Sequence, residues 1–314
     1  MIRLGYNGDK QTNLDQVPSN ILIEGIDVLA YRGKRFIEIN STKTDINSIS
    51  ILDAYSPVGQ DSQAINILNT PGDINISNFH LQAASNNIMI GGDRPWIPGN
   101  HIKNVIVRNG ILDKPLEWKL ANTPKVKNLL EIKDGWYIII SDVICRNCWV
   151  SGQTGYCFML TPSRGSLRDI NIINCDVSNV GGIINITGTD AHDMFKERTT
   201  VKVDSGTYIT NKSDMGGTGW FALLTRGPES FEVYNSNIEV DGNAFLVIGD
   251  SSPVDKVIIK GNEFNHSKYG ININGQMYGN NPYKIVKELV VEDNIIHGAN
   301  STFKKNFPSN KYVA

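Results

Sequence analysis

Four charged residues that alternate in sign are the first candidates for chemistry. Each follows a short phrase in which two apolar residues flank one other residue. They are Arg164, Asp190, Arg226 and Asp250. If these phrases stack as neighbouring strands, successive charges lie about 4.8 Å apart, and the backbones of Asp190 and Asp250 about 9.6 Å apart. Inverting glycoside hydrolysis uses two carboxyl groups about 6.5–9.5 Å apart, so these two aspartates are predicted as its acid and base.

Neighbours of the two aspartates could share in catalysis. Arg226 falls between them in the stack, where it could hold an acidic sugar or lower both pKa values. His192 and Asp193 are further acid–base candidates. The structural alternative is a ladder of surface ion pairs, each contributing about 0–1 kcal/mol. Asp190, His192 and Asp193 match no known metal-binding loop, so neither a metal nor another cofactor is predicted.

Loop residues along the same edge are predicted to bind the substrate. Sugar rings stack on exposed aromatic rings, and an exposed ring needs an explanation. The predicted substrate-binding residues are Asp93, Arg94, Trp96, Trp118, Arg164, Trp220 and Tyr278, and Asp134 and Gln276 fall on the same edge. The alternative for the aromatic residues is that they cover apolar surface or pack against a neighbouring chain.

A repeat supplies the elements that would position these residues. Ten times, two alternating apolar residues precede a turn residue, as in Ile170-Asn-Ile-Ile-Asn174 and Val257-Ile-Ile-Lys-Gly261. Alternation with a period of two is typical of a half-buried strand, and Gly and Asn tolerate the positive φ of tight turns. The turn residues are Gly25, Asp53, Asn78, Asn109, Asn147, Asn174, Ser205, Asn235, Gly261 and Asp293.

A second apolar phrase lies between the turn residues, as in Ile65-Asn-Ile67 and Ile184-Asn-Ile186. Each repeat therefore holds three short strands, with no helix long enough to be a crossover. This pattern predicts an all-β fold, a single-stranded parallel β-helix of about ten coils over residues 20–297. Residues 1–19 are predicted as a lead-in or cap, and 298–314 as an irregular tail.

Charge and apolar patterning argue against several partners. A net charge of −2 and a pI near 6.2 disfavour nucleic acid. No run of 18 apolar residues is present, so no membrane insertion is expected, and the N-terminus lacks the apolar core of a secretory signal. The four cysteines are interpreted as buried reduced thiols. A Cys148–Cys175 disulfide is the alternative, because each of these residues follows a turn residue.

An outward column of apolar side chains predicts self-association. The middle residues of the second phrase should face outward, and several of them are apolar. They are Met89, Met159, Ala222 and Leu246, joined by Ile106 and Ile144 on the strands that precede the turn residues. A homotrimer would bury such a column.

The repeat resembles the right-handed parallel β-helix of the pectate-lyase-like superfamily, and within it the bacteriophage tailspike proteins. The resemblance covers residues 20–297 through the ten turn residues. The usual entry phrase Gly-Asp-Gly-x-x-Asp-Asp-Thr is absent, with only Gly59-Gln-Asp-Ser-Gln-Ala-Ile65 near it, and the calcium and arginine signatures of pectate lyases are not recognisable. No catalytic residue carries over by motif.

The resemblance implies a trimer on the virion surface, or an extracellular protein, that binds or cleaves a host polysaccharide and contacts other virion proteins. Three hypotheses follow. The first is a tailspike-type glycan-binding protein with endoglycosidase activity. The second is a polysaccharide lyase, in which Arg226 neutralises a uronate and His192 or Lys196 is the base. The third is an inactive adhesin or structural virion component. An open groove with Trp96 or Trp220 on its wall would favour the first hypothesis.

Overall fold

The computed structural model describes residues 1–5, 10–273 and 284–313, and it confirms an all-β protein of stacked parallel coils. The strands form two parallel sheets, which we call the short-strand sheet and the long-strand sheet. In order, the short-strand sheet contains β1 (Ile2–Leu4), β3 (Arg35–Ile39), β5 (Gln63–Ile67), β7 (Asn86–Ile90), β9 (Leu130–Ile132), β11 (Tyr156–Leu160), β13 (Gly182–Thr187), β15 (Ala222–Thr225), β18 (Leu246–Ile248) and β21 (Ile271–Ile273).

The long-strand sheet covers the rest of each coil. Its first strands are β2 (Ser19–Val28), β4 (Thr42–Ala54), β6 (Gly72–Ala83), β8 (Lys103–Asp113), β10 (Gly135–Cys148), β12 (Leu167–Val180) and β14 (Thr200–Thr210). Further along the stack each long strand is replaced by shorter ones: β16 (Ser230–Tyr234), β17 (Asn237–Glu239), β19 (Val254–Lys260), β20 (Glu263–Asn265), β22 (Val286–Glu292), β23 (Ile295–His297) and β24 (Lys311–Val313). Three short α-helices interrupt the connections: α1 (Leu116–Ala121), α2 (Lys212–Met215) and α3 (Ser301–Asn306).

A column of left-handed residues bends every coil at the same place. Strand register stacks these residues directly above one another, and all have φ between 49° and 70°. The column is Gly25, Ser48, Asn78, Asn109, Asp142, Asn174, Ser205, Asn235, Gly261 and Asp293. The chain bends at one residue without leaving the sheet. The long strands β2, β4, β6, β8, β10, β12 and β14 therefore each contain two of the three strands predicted per coil, whereas these two strands are separate in the later coils.

Two of the predicted turn residues were wrong. Asp53 and Asn147 are left-handed, but each lies five residues beyond the column, where Ser48 and Asp142 stand. The error arose because the strand continues past the bend with the same alternation of apolar residues. Each of these coils therefore has two left-handed residues preceded by that alternation, and the sequence does not show which one is the bend.

The register that would bring Cys148 and Cys175 together was also wrong, because it took Asn147 as the turn residue in place of Asp142. Cys148 lies opposite Val180, whereas Cys175 lies opposite Gly206 in the next coil. All four cysteines are buried and free, as the interpretation as reduced thiols predicted.

The stack contains about eight coils rather than ten. A coil needs all of its strands, and the layers at the two ends are incomplete. Ile2–Leu4, in the predicted lead-in, adds only the strand β1, which pairs with β3. The predicted irregular tail folds into α3 and then β24, which pairs with β23.

Columns of apolar side chains fill the interior. Ile65, Ile88 and Phe158 belong to one such column, and all are fully buried. Register places Ala222 and Leu246 in this same inward column, so their predicted outward orientation was wrong by one residue. Their outward neighbours are Leu223 and Val247, whereas Met89 and Met159 face outward as predicted.

A ladder of buried asparagines joins the last coils. The Asn294 side-chain oxygen accepts from the backbone N–H and the side-chain amide of Asn262, at 2.9 and 3.0 Å. Its own amide donates to the Ile259 carbonyl at 2.9 Å and to the Asn310 side-chain oxygen at 2.8 Å. One side chain therefore satisfies backbone groups at a turn that no strand partner reaches.

We expect Asn294→Ala to lower the free energy of unfolding by about 3 kcal/mol, because it leaves several buried polar groups without partners. Urea unfolding followed by circular dichroism measures the change. Asn237→Ala is the matched control, since Asn237 is an exposed strand residue and should cost less than about 0.5 kcal/mol. Equal losses in the two variants would contradict a structural ladder.

A buried lysine fixes the start of the loop between β8 and β9. Lys114 Nζ donates to the carbonyl oxygens of Ala83, Ala84 and Ser85 and to the side-chain oxygen of Asn87, the last two at 2.8 and 2.9 Å. The side chain is completely buried. Burial lowers the pKa of Lys114 to about 7.

Stability should therefore rise from about pH 7 to about pH 9. The unfolded chain keeps the Lys114 proton up to about pH 10.5, whereas the folded chain releases it near pH 7. The unfolded state then binds more protons, and stability rises by about 1.4 kcal/mol per pH unit. Above pH 9 the trend reverses, because burial raises the pKa of Cys148 to about 12 and also raises those of Cys157 and Cys175.

Urea unfolding at several pH values between these limits measures the slope. In Lys114→Met the slope should disappear, whatever the absolute cost of the substitution. A slope unchanged in that variant would assign the pH dependence to other groups.

Candidate functional site

The predicted ladder of alternating charges lies on four successive strands of the short-strand sheet. Arg164, Asp190, Arg226 and Asp250 follow β11, β13, β15 and β18. The Asp190 carboxylate accepts the backbone N–H of Arg164 at 2.7 Å, and that of Asp250 accepts the backbone N–H of Arg226 at 2.6 Å. The structure thus brings the four residues together, but through backbone contacts.

The two aspartates serve the turns that follow their strands. Asp190 is fully buried, and its carboxylate also accepts the N–H groups of His192 at 3.2 Å and Met194 at 2.8 Å. The second oxygen of Asp250 accepts the Ser252 N–H at 3.0 Å. A carboxylate whose oxygens hold backbone N–H groups stabilises a turn. Both aspartates thus have a structural role through backbone N–H groups, and the described residues show no ion pair among the four charges of the ladder. The catalytic assignment of both residues stays a prediction.

Arg226 and His192 lie at the surface of this edge. The Arg226 guanidinium donates to the Thr189 hydroxyl at 3.1 Å and the Asp190 carbonyl at 3.1 Å. Its ion pair with Asp193 is 3.4 Å long, and the two side chains are 41% and 85% exposed, so it contributes about 0–1 kcal/mol. His192 is exposed. Neither residue points to a substrate-binding cavity through these contacts.

An open groove lies further along the same edge, where two long loops meet. We call it the Trp96 groove. It has a volume of about 670 Å³. The loop after β7 contributes Asp93, Arg94 and Trp96, and the loop after β13 contributes Met194 and Phe195, with Lys10 at the margin. The groove therefore combines aromatic and apolar walls with cationic and anionic side chains.

A small cavity lies next to this groove and shares Asp93 with it. Asn69, Asn100 and Asp134 also line this cavity. The Asn69 side-chain oxygen accepts the Trp96 N–H at 3.1 Å, which holds the loop. The Asn69 amide nitrogen is buried and has no hydrogen-bond partner among the described residues. The cavity volume of about 10 Å³ is close to what one water molecule needs.

A buried histidine–aspartate pair forms the base of the groove loop. His101 Nδ1 and Asp134 Oδ1 are 2.7 Å apart, and both side chains are 6% exposed. Asp134 also accepts the backbone N–H groups of Ile102 and Ser166, each at 3.1 Å. The His101 ring stacks on Trp136 with centroids 4.4 Å apart.

The His101 ring also contacts Phe195 in an edge-on arrangement, with centroids 4.6 Å apart. Phe195 belongs to the second groove loop, so His101 packs between two parts of the site. The sequence placed Asp134 on this edge but gave no indication of His101, because its partners Asp134 and Trp136 lie in the next coil and Phe195 in a later loop.

The remaining predicted binding residues do not join the groove. Trp118 is buried, where its indole N–H donates to Asp53 at 3.2 Å and its ring contacts Tyr55. Trp220 precedes β15, at the opposite edge of the short-strand sheet from Trp96, and its indole N–H donates to Asn243 at 2.8 Å. The predictions for Tyr278 and Gln276 fall outside the described residues.

The described residues contain no cluster of three His, Cys, Asp or Glu side chains that could hold a metal ion. Within the same ranges, no helix has the length and apolar character needed to cross a membrane. No family model, curated protein or solved structure matches this chain. The parallel β-helix is therefore established by the structure alone.

We expect Asp134→Ala to destabilise the protein by about 1–3 kcal/mol for each buried donor that it leaves without a partner. Thermal unfolding measures the loss. Asp93→Ala is the matched control from the same site, because Asp93 is exposed and, among the described residues, accepts only the N–H of the adjacent Arg94. It should change stability by less than about 0.5 kcal/mol, and a similar loss in both variants would refute the role of Asp134.

Proposed function

We propose that this chain is a tailspike-type protein that binds a host cell-surface polysaccharide, with sugar units held in the Trp96 groove. The observation that carries the proposal is an open groove of about 670 Å³ in which Trp96 stands beside Arg94 and Asp93. Ligand sites are concave, largely apolar, and contain a few polar groups that orient the ligand. Aromatic faces suit the apolar faces of sugar rings, and the charged groups suit their hydroxyls.

The fold supports this use of the groove. Loops that carry function are generally anchored on a rigid scaffold, and in solenoids they project from one face. Both loops of the Trp96 groove leave the same edge of the short-strand sheet, and Asn69, Asp134 and His101 tie their bases to the coils. A groove held in this way needs little ordering when a ligand binds.

Binding without cleavage is the form of the function that the contacts favour. Asp190 is fully buried, and its carboxylate is occupied by three backbone N–H groups. A general acid must reach the oxygen that it protonates. We therefore propose an adhesin at this edge, with hydrolysis by Asp190 and Asp250 as the alternative. The lyase alternative would need Arg226 to leave its contacts with Thr189 and Asp190.

Self-association on the virion surface is part of the proposal. Met89, Met159 and Leu223 face outward from the short-strand sheet in one register column. Apolar side chains in such a column favour burial against another chain. We propose a homotrimer in which this column meets its copies or another virion protein.

The first test is binding to a panel of bacterial surface polysaccharides, measured by calorimetry. Trp96→Ala should weaken binding at least about tenfold, or about 1.4 kcal/mol. Trp220→Ala is the matched control, because it removes the same side chain from the opposite edge and should leave affinity unchanged. No binding by the wild-type protein would refute the proposal, and equal losses in both variants would refute the groove.

Release of reducing ends from the polysaccharide that binds separates adhesin from hydrolase. We expect none. Release that is lost in Asp250→Asn, with folding verified by circular dichroism, would establish hydrolysis at the predicted ladder. Products that absorb in the near ultraviolet would instead indicate a lyase.

A further inference from the structure

A second groove, remote in the fold from the short-strand sheet, runs along the outside of the long-strand sheet beside the left-handed column. It has a volume of about 720 Å³. Ile49, Phe79 and Gly110 form its floor, in register on three successive strands. A side chain at position 110 would collide with the Phe79 ring, since even a Cβ atom would lie 2.3 Å from it. The glycine therefore makes room for the Phe79 ring in the floor.

Three residues with hydrolytic chemistry lie on three successive long strands at this groove. Ser50 on β4 lies directly opposite His80 on β6, and both line the groove. His80 Nε2 is 3.0 Å from the Asp113 carboxylate at the end of β8. The register thus puts a hydroxyl, an imidazole and a carboxylate on three successive coils, with the imidazole in the middle.

The carboxylate is well suited to orient the imidazole. Asp113 is nearly buried, and Arg146 Nε lies 3.2 Å from its other oxygen. Burial alone would raise the pKa of Asp113, but hydrogen bonds from His80, Gln82 and Arg146 outweigh it and lower the pKa below its usual value. Asp113 is therefore ionised at neutral pH and accepts a hydrogen bond from His80 Nε2.

The other ring nitrogen is then the basic one. With Nε2 carrying its proton toward Asp113, the neutral imidazole presents the lone pair of Nδ1. Nδ1 is the ring nitrogen nearer the backbone, and Ser50 is the residue opposite His80 on the neighbouring strand. Nδ1 makes no hydrogen bond within the described residues, and the His80 side chain is 32% exposed.

We propose that Ser50, His80 and Asp113 form a hydrolytic site for small acyl esters, such as acetyl groups carried on a polyol. Ser50 is the nucleophile, His80 the general base and then acid, and Asp113 a positioning residue. These roles need a nucleophile beside a base that a third group orients. Here Ser50 is the register neighbour of His80, and Asp113 orients the His80 ring. The site uses no residue of the Trp96 groove and does not depend on the proposed glycan binding.

The reaction balances with water as the only co-reactant. Ser50 Oγ attacks the ester carbonyl carbon and passes its proton to His80 Nδ1. The bond to the alcohol oxygen breaks, and the alcohol leaves with that proton. Water then attacks the acyl-Ser50 ester with His80 as base. The acid is released, and Ser50 recovers its proton.

The test uses the full chain with p-nitrophenyl acetate, and with a fluorophosphonate probe whose site of attachment is found by peptide mass spectrometry. We expect turnover above buffer and labelling at Ser50. Ser50→Ala should abolish both. His80→Asn should lower both about a hundredfold although Ser50 is still present, which a merely structural histidine would not do.

Ser178→Ala is the matched control, since Ser178 is exposed on the same face beside Arg146 but away from His80. It should leave turnover and labelling unchanged. Trp96→Ala should also leave turnover unchanged, which separates this site from the glycan-binding groove. Absence of labelling at Ser50 in the wild-type protein, or turnover that persists in Ser50→Ala, would overturn the proposal.

Discussion

Every coil depends on a bend at which one residue adopts a left-handed, mildly strained backbone conformation. The coils can stack in parallel only if each bends at the same position in the strand register, and here that bend is a single left-handed residue. Glycine, asparagine, aspartate and serine fill the column, and the first three are the residues for which positive φ costs least. Hydrogen bonds between neighbouring coils then offset the strain, as in the 2.8 Å contact from Asn174 to Asp142.

Polar side chains complete what the strands leave unsatisfied. Asn294 and Asp134 accept backbone N–H groups at turns, and the Lys114 ammonium gathers three carbonyl oxygens at the start of a loop. Buried polar and charged groups are tolerable only when they are hydrogen-bonded, and each of these is. Their effect is to fix long loops to rigid coils. The Trp96 groove depends on this anchoring, because its two loops come from coils that are not adjacent and must each be held in place.

The two grooves use the solenoid differently. The Trp96 groove is built by irregular loops, so its chemistry is a property of particular residues such as Arg94 and Phe195. The groove beside the left-handed column is built by strand register, which repeats one position on successive coils. Residues at the same register position on successive strands, such as Ser50 and His80, are therefore placed side by side by the backbone.

The sequence by itself determined the class of fold. Period-two alternation around a recurring turn residue is local information, and it was enough to predict the parallel stack and eight of the ten bend positions. It did not determine which of two turn residues is the bend in the coils that contain Asp53 and Asn147. Both residues in each coil tolerate positive φ, and only pairing with the next coil selects one.

The charged ladder on four successive strands was likewise predictable from spacing. What its side chains contact was not, because Asp190 is engaged by backbone groups of its own turn and of a neighbouring coil. The tertiary structure alone brought His101, Asp134 and Phe195 together, because these residues lie far apart in sequence. They meet only when neighbouring coils stack and the loop after β13 packs against them.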